Sequence, residues 1–594
     1  MTRTDRISRT SSTSLSTKAS TACTVLLIFF FASYRPVIAQ DVQPEAAQTE
    51  TIQGTVVNEL TGEGIGRALV YSPDNRFATL TDGQGYFEFI VPKPKESPAE
   101  DNGEFVFRGI RTRMTRGGQT FYSFSARKPG FLEDPSNNVQ AVSGTDRTIR
   151  LIPEAIIKGR VISSETEGAT GINIQLFARQ VQDGMPRWVR SQAATANSNG
   201  EFRFADLVPG SYKLMTQELL DTDPVVMAPG SQIYGFPPIC FPGVPDFASG
   251  APIQLTAGQT FQADIPLARQ PYFPVQIPVT NPADSNGLKV SVAAQSHPGP
   301  GYSLGYNPAT QRIEGLLPRG SYLVEATAFG PTMASGSVTL SVAGKSSDAA
   351  PLALVPGLQI PVNVREEFTS TNWNRSSSFT GPRFSYTFNG GPRIYLDITL
   401  TPADDFAEHG SASLRPPRSR GDNTLVIDGV EPGRYRVHVN TSHGYVASAT
   451  SGSVDLLREP LAISTGSHTQ IDVTVRDDLA KVEVTVAGLH NSSLGSSETP
   501  SFSPVAVSPS AHIYWVPLPD SPGQFQESEI SSEGQFSTEI APGTYRVLAF
   551  ERRQNSLPYR DVEAMRAYET QGQVVHLTAG QTQHVELQLT QESN

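Results

Sequence analysis

Nine histidines, two cysteines and a few carboxylate pairs are the residues of this 594-residue chain that could do chemistry. Their spacing argues against most of it. Gly301-Tyr302-Ser303-Leu304-Gly305 matches Gly-x-Ser-x-Gly, the turn that exposes a nucleophilic serine beside an oxyanion hole. That turn needs a strand before it and a helix after it. Here Pro298 and Pro300 precede the motif, while Asn307-Pro308 and the strand-like Arg312 to Leu317 follow, so it reads as a Gly/Ser turn. His438 and His443 lie five apart on a strand and turn, where side chains at that separation face opposite sides. Neither His-Glu-x-x-His nor His-x-x-Glu occurs, so no zinc site is expected. Asp404-Asp405 and Asp477-Asp478 are adjacent, whereas an acid/base pair must flank a substrate bond from separate elements. Cys240, between Ile239 and Phe241, reads as a buried thiol. The expectation is no catalytic residue, no cofactor and no metal.

The aromatic residues say more. Trp188 and Trp515 sit in strand-like runs and read as packing residues. Trp373 lies in the polar loop Thr369-Ser370-Thr371-Asn372-Trp373-Asn374-Arg375, where no strand pattern hides it, and is the candidate ligand-binding side chain. Four tyrosines share a different setting. Pro209-Gly210-Ser211-Tyr212, Pro318-Arg319-Gly320-Ser321-Tyr322, Pro432-Gly433-Arg434-Tyr435 and Pro542-Gly543-Thr544-Tyr545 each follow one alternating run and lead into another. The tyrosines are 110, 113 and 110 residues apart, the length of a β-sandwich domain. Tyr212, Tyr322, Tyr435 and Tyr545 are therefore assigned a structural role, each ring closing one end of a core while its hydroxyl bonds back to the backbone.

The elements that position these residues are strands. With 50 glycines, 46 prolines and 38% apolar residues, the chain is rich in turns, which fits an all-β array. Arg3, Arg6, Arg9 and Lys18 precede an apolar run from Cys23 to Ala32, and Val37-Ile38-Ala39 supplies a cleavage site. Residues 1–39 read as an export signal, so the mature chain begins at Gln40, with no membrane span. Cys23 leaves with the signal, and no intrachain disulfide is then possible. Removing the five basic and one acidic residues of the signal leaves 41 basic against 57 acidic, a net charge of −16. That argues against nucleic acid and anionic membrane surfaces as partners. The location expected is periplasm, cell surface or extracellular space.

Taken in order, the chain opens its first repeat with Ile52-Gln53-Gly54-Thr55-Val56, followed by Ala68-Leu69-Val70 and Thr81-Asp82-Gly83-Gln84-Gly85-Tyr86-Phe87-Glu88-Phe89. The second opens with Ile157-Lys158-Gly159-Arg160-Val161 and continues through Asn199-Gly200-Glu201-Phe202-Arg203-Phe204. These stretches resemble the carboxypeptidase regulatory-like domain. The resemblance implies a transthyretin-like Greek-key β-sandwich, grouped with carbohydrate-binding-like folds. It carries the accessory fold without the peptidase, because the zinc pair is missing. The first repeat departs from the pattern after Phe89, where a Pro-rich insertion stands and no Pro-Gly-x-Tyr turn follows.

The expected organisation is five sandwiches at 50–153, 154–269, 270–356, 357–476 and 477–591. Residues 221–250 read as a Pro/Gly-rich loop, and 369–392 and 491–510 as long surface loops. The third and fourth sandwiches open at Val275-Gln276-Ile277-Pro278-Val279 and Leu358-Gln359-Ile360-Pro361-Val362, where proline suggests edge strands. Pro558 to Thr570 is the one helix candidate. The function expected is binding without turnover, with a polysaccharide as partner. The alternative is a structural spacer of the cell envelope that meets an envelope protein.

Overall fold

In the computed structural model the described residues are 49–590 apart from 74–75, 93–112, 117–118, 134–138, 142–145, 164–170, 222–231, 281–286, 296–298, 329–332, 345–346, 370–395, 408, 417, 419–423, 465, 488–510, 520, 531–534 and 552. The export segment, Trp373 and the 491–510 loop lie outside them. Among the described residues the chain is nearly all β. Its strands form ten small sheets, and the one α-helix is a single turn, Val562–Met565. That turn starts at Asp561, whose carboxylate accepts from the Ala564 N–H at 3.1 Å, and it runs on into a 3-10 turn, Arg566–Tyr568.

The sheets pair face to face around successive cores: strands such as Ala155–Ser163 and Ala480–Ala487 alternate buried and less buried side chains, whereas Asn173–Gln182, Gly210–Thr216 and Ala511–Pro517 carry runs buried on both faces. In the second sandwich Ala155–Ser163 buries Ile157 and Val161 against Leu176, Phe202, Phe204, Tyr212 and Leu214. Comparable clusters gather Val275, Ile277, Tyr322 and Val324, then Ile360, Ile398, Tyr435 and Val473, then Val482, Trp515, Tyr545 and Val585. One topological rule repeats. The opening strand of each unit pairs in parallel with a strand from its end: Thr49–Asn58 with Asp146–Leu151, Ala155–Ser163 with Thr260–Gln262, Leu358–Glu367 with Ile471–Arg476, and Ala480–Ala487 with Thr582–Gln588. Gly159 shows why the opening motif holds glycine. A Cβ there would collide with the Ala263 carbonyl of the closing segment and with the Phe202 ring.

Two expectations need correction. The proline-bearing opening strands are central, not edge. Gln270–Thr280 pairs with Arg312–Pro318 along one side. Along the other side it meets Ile233–Phe236 at Gln270 to Tyr272, Ser347–Asp348 at Val275 and Gln276, and Leu352–Ala353 at Val279 and Thr280. Pro274 and Pro278 fall in the gaps between these partners, where a missing N–H costs no ladder bond. Leu358–Glu367 lies between two partners: Val426–Val430 pairs with it as far as Pro361 on one side, and on the other Ile471–Arg476 begins only at Val362, one residue past the proline. Residues 221–250, in turn, are not all loop. Ile233–Phe236 pairs antiparallel with Gln270–Thr280, so a segment following the Tyr212 strand extends the sheet of the third sandwich.

Candidate binding clefts between the sandwiches

The four tyrosines occupy equivalent places. Each Pro-Gly turn carries the chain from one sheet to the other: Glu201–Leu207 pairs with Ala155–Ser163, whereas Gly210–Thr216 pairs with Asn173–Gln182 in the opposite sheet. The rings of Tyr212, Tyr322, Tyr435 and Tyr545 are buried. Each hydroxyl donates to the carbonyl four residues back: Tyr212 to Val208 at 2.7 Å, Tyr322 to Pro318 at 2.9 Å, Tyr435 to Glu431 at 2.9 Å and Tyr545 to Ala541 at 2.7 Å. The bond joins the last carbonyls of one sheet to the first ring of the other.

Other singled-out residues are dispersed. Trp515 is fully buried in the fifth core, edge-on to Tyr545. Trp188 lies on the outer face of the second sandwich, with Lys213 Nζ 5.1 Å and Arg179 5.3 Å from its ring centre. Lys213 donates to the carbonyls of Phe247 and Ala248 at 2.7 and 3.0 Å, and burial lowers its pKa. Cys240 is buried in the same cover, and desolvation pushes its thiol up to about 12. Ser303 is followed by the Gly305–Asn307 strand rather than a helix. Among the described residues no group of three or more His, Cys, Asp or Glu could hold a metal ion.

What the sequence did not announce is where the sandwiches meet. Asp183 and Gly184 form the tip of the hairpin Asn173–Gln182 / Met185–Thr195, both with positive φ (49° and 68°), as a two-residue primed turn requires. This tip of the second sandwich reaches residues of the fourth and fifth. Tyr559 Oη donates to Asp183 Oδ1 at 2.8 Å, the Arg560 N–H donates to the Gly184 carbonyl at 3.0 Å, and Arg560 Nε and His438 Nε2 stand 3.4 and 3.6 Å from Asp183 Oδ2. A Cβ at Gly184 would lie 2.7 Å from the Tyr559 ring, so only glycine lets the tip rest on it. Phe525 stacks on Tyr559 at 3.8 Å and 6°. With one ring face under Gly184 and the other under Phe525, Tyr559 is packing and offers no open platform.

Arginines tie the fourth sandwich to its neighbours through backbone carbonyls. Arg187 donates to Pro402 at 2.9 Å, Arg458 to Ser521 at 2.7 Å and Arg560 to Leu457 at 2.9 Å. Burial lowers the pKa of His438, and the cations Arg560, Arg436 and Arg187 push the same way against Asp183. Beside this junction opens a cleft of about 730 Å³. Asn440, Ser448, Thr450, Asp455 and Arg458 line it from the fourth sandwich, Gln524, Phe525, Arg546 and Tyr559 from the fifth, and Asp183 from the second.

A smaller cleft, of about 390 Å³, lies between the second and third sandwiches, with Phe406 and Ala407 of the fourth at its rim. Its wall is held by Glu218. One carboxylate oxygen accepts from both the Ser303 N–H (2.6 Å) and Oγ–H (2.7 Å), and the Glu218 N–H donates to the Gly301 carbonyl at 3.1 Å. Desolvation raises the Glu218 pKa to about 7, against the lowering effect of the Ser303 bonds.

Comparison with known proteins matches residues 156–219 to a family model described as BOS complex subunit NOMO1-like, second beta sandwich domain. That stretch runs from the opening strand of the second sandwich past its tyrosine corner. No curated protein matches the chain. Among solved structures, the Bacillus anthracis TIE protein is similar over 72% of this chain and 67% of its own, at 8% identity and a TM-score of 0.14. The minor pilin of Streptococcus agalactiae is similar over 36% of this chain and 94% of its own, at 14% identity and 0.16. A shaft pilin of Lactobacillus rhamnosus GG covers 38% and 98%, at 9% identity and 0.18. Likeness at that level says nothing of what this chain does.

Proposed function

We propose that this chain is an exported, non-catalytic binding protein whose carboxypeptidase regulatory-like sandwiches take carbohydrate, with the larger cleft as a binding site. The observation that carries the reading is that cleft's lining. Its acids, Asp183, Asp455 and Glu569, are matched in number by Arg458, Arg546 and Arg560, while Asn440, Ser448, Thr450 and Gln524 add neutral polar groups among Leu457, Leu518 and Phe525. A charge-balanced mixture of amides, hydroxyls and apolar patches suits a neutral polyhydroxy ligand better than a multivalent anion or a hydrocarbon. The volume lies within the roughly 300–1,000 Å³ range of small-ligand sites. Trp373 stays in the proposal as a second contact for a polymer.

Retention of the whole chain on a polysaccharide panel tests this reading. Asn440→Ala and Ser448→Ala should each weaken retention by about 1 kcal/mol, and Trp373→Ala by roughly 1–3 kcal/mol. A panel with no binder removes the carbohydrate reading. The spacer alternative is favoured by a different observation, the arginine-to-carbonyl bonds across the junctions. Crosslinking to an envelope protein without glycan retention would establish it.

A further inference from the structure

The smaller cleft differs in chemistry from the larger one. Gln175, Phe177 and Arg190 line it from the outer face of the second sandwich, Gln217 and Glu218 from the strand end, and Pro300 to Ser303 from the third. Whereas Arg187, Arg458 and Arg560 of the other junction are tied to carbonyls, the Arg190 guanidinium makes no hydrogen bond or ion pair with the described residues. We propose that this cleft is a binding site for a small hydroxycarboxylate, a sugar acid whose carboxylate pairs with Arg190 while its hydroxyls meet Gln175, Gln217 and the Gly301–Ser303 backbone.

The planar guanidinium matches a carboxylate through two parallel N–H donors. A phosphate would call for more cations than this cleft holds, and one arginine with two amides suits a single negative charge. Phe177 and Phe406, with ring centres 5.4 Å apart and planes perpendicular, supply an apolar wall on one side. Glu218 fits the same reading. Its charged and titratable surroundings are Arg190 from the second sandwich and Tyr272, Tyr302 and Tyr322 from the third, with Glu314 beside it on the far side of the Ser303 wall. Among the described residues no cation bonds to Glu218. Kept neutral below about pH 7, it does not repel a bound anion; ionised above that, it would do so and would also strain its own wall. The site stands independently of the larger cleft, from which it shares no lining residue.

Titration calorimetry of the whole chain with glucuronate at pH 6 tests the proposal. Saturable binding at one site is expected, at least about tenfold weaker for Arg190→Ala and several-fold weaker for Gln217→Ala, as loss of a charged and of a neutral hydrogen bond would give. Affinity of the native chain should fall between pH 6 and 8, and that fall should vanish in Glu218→Gln. A uronate oligomer separates the two sources of this chemistry: much tighter binding than the monomer points to a polymer, equal binding to a free sugar acid. Glucose binding as well as glucuronate, affinity untouched by Arg190→Ala, or no saturable heat at millimolar ligand would each overturn the proposal.

Discussion

Tyr559 and Asp183 are 376 positions apart in the chain and 2.8 Å apart in space, joined by a hydrogen bond from phenol to carboxylate. The pair makes the second sandwich a neighbour of the fifth. Gly184 rests on the ring and Arg560 closes the far side of the carboxylate. Asp183→Ala would leave the Tyr559 hydroxyl without its acceptor, at a cost of about 1–3 kcal/mol, and would take the nearby carboxylate from the Arg560 guanidinium, which keeps only its bond to the Leu457 carbonyl. Gly184→Ala adds a methyl against the ring at a positive φ and should loosen the same junction. Hydrogen exchange is the measurement. Amides 183–185 and 559–560 should lose protection together in either variant; protection lost at the hairpin alone would mean the pair does not couple the sandwiches.

The corner tyrosines separate two contributions. Tyr435→Ala removes a fully buried ring and should destabilise the fourth sandwich by about 3–5 kcal/mol. Tyr435→Phe keeps the ring and removes only the bond to Glu431, at about 1 kcal/mol. Calorimetry of the whole chain resolves the two, because the transition that moves should be the same in both variants. Equal effects from the two substitutions would mean that the hydroxyl, not the ring, does the closing. Glu431 sharpens the expectation, since its carboxylate also accepts from Thr327 at 2.7 Å and from the Gly410 N–H at 3.0 Å, tying the corner to the third sandwich.

The repeated corner was legible because it is local. Proline, glycine and tyrosine within four or five residues report one backbone turn, and four copies of it recur 110 to 113 residues apart. The junctions were not legible, because their residues carry no local signature. Asp183-Gly184 is an ordinary hairpin dipeptide, Glu218 is one acid in an acidic chain, and Arg560 follows a tyrosine in a stretch that reads as a short helix. Their roles come from contacts spanning 83 to 377 positions. The prolines misled for a related reason. Pro274 and Pro278 forbid a ladder bond only at their own N–H, and three short partners leave those two places open.

Two junctions should respond to pH with opposite signs. His438 has a folded pKa below its ordinary 6.5, so below that pH the unfolded chain binds the extra proton first. Its junction is at full strength above pH 6.5 and weakens as pH falls through the folded value. Glu218 has a folded pKa of about 7 against an ordinary 4.5. Its contribution is full below 4.5 and is lost as pH rises through about 7. Exchange at amides 183–185 should therefore accelerate in acid, and exchange at 301–303 in base. His438→Gln should flatten the first profile alone and Glu218→Gln the second alone; profiles unchanged by these substitutions would assign the pH response to other groups.

Cys240 gives a chemical reporter of the cover over the second sandwich. It packs with Phe177, Met215 and Phe247, and Phe406 of the fourth sandwich closes on the same cluster, 4.6 Å from the Phe247 ring centre. A thiol is attacked as thiolate, and burial has pushed this one to about 12, so at pH 8 the native protein should react with a disulfide reagent only through opening. Phe406→Ala removes a ring that sits edge-on to both Phe177 and Phe247 and should cost about 3 kcal/mol locally. If the cluster opens as a unit, that loss raises the open population, and the labelling rate, by about a hundredfold. Tyr545→Ala, which weakens the fifth core instead, should leave the rate near its native value. Rapid labelling of the native chain would mean that the 239–250 segment does not shield the thiol, and an unchanged rate in Phe406→Ala would mean that the fourth sandwich takes no part in holding the cover closed.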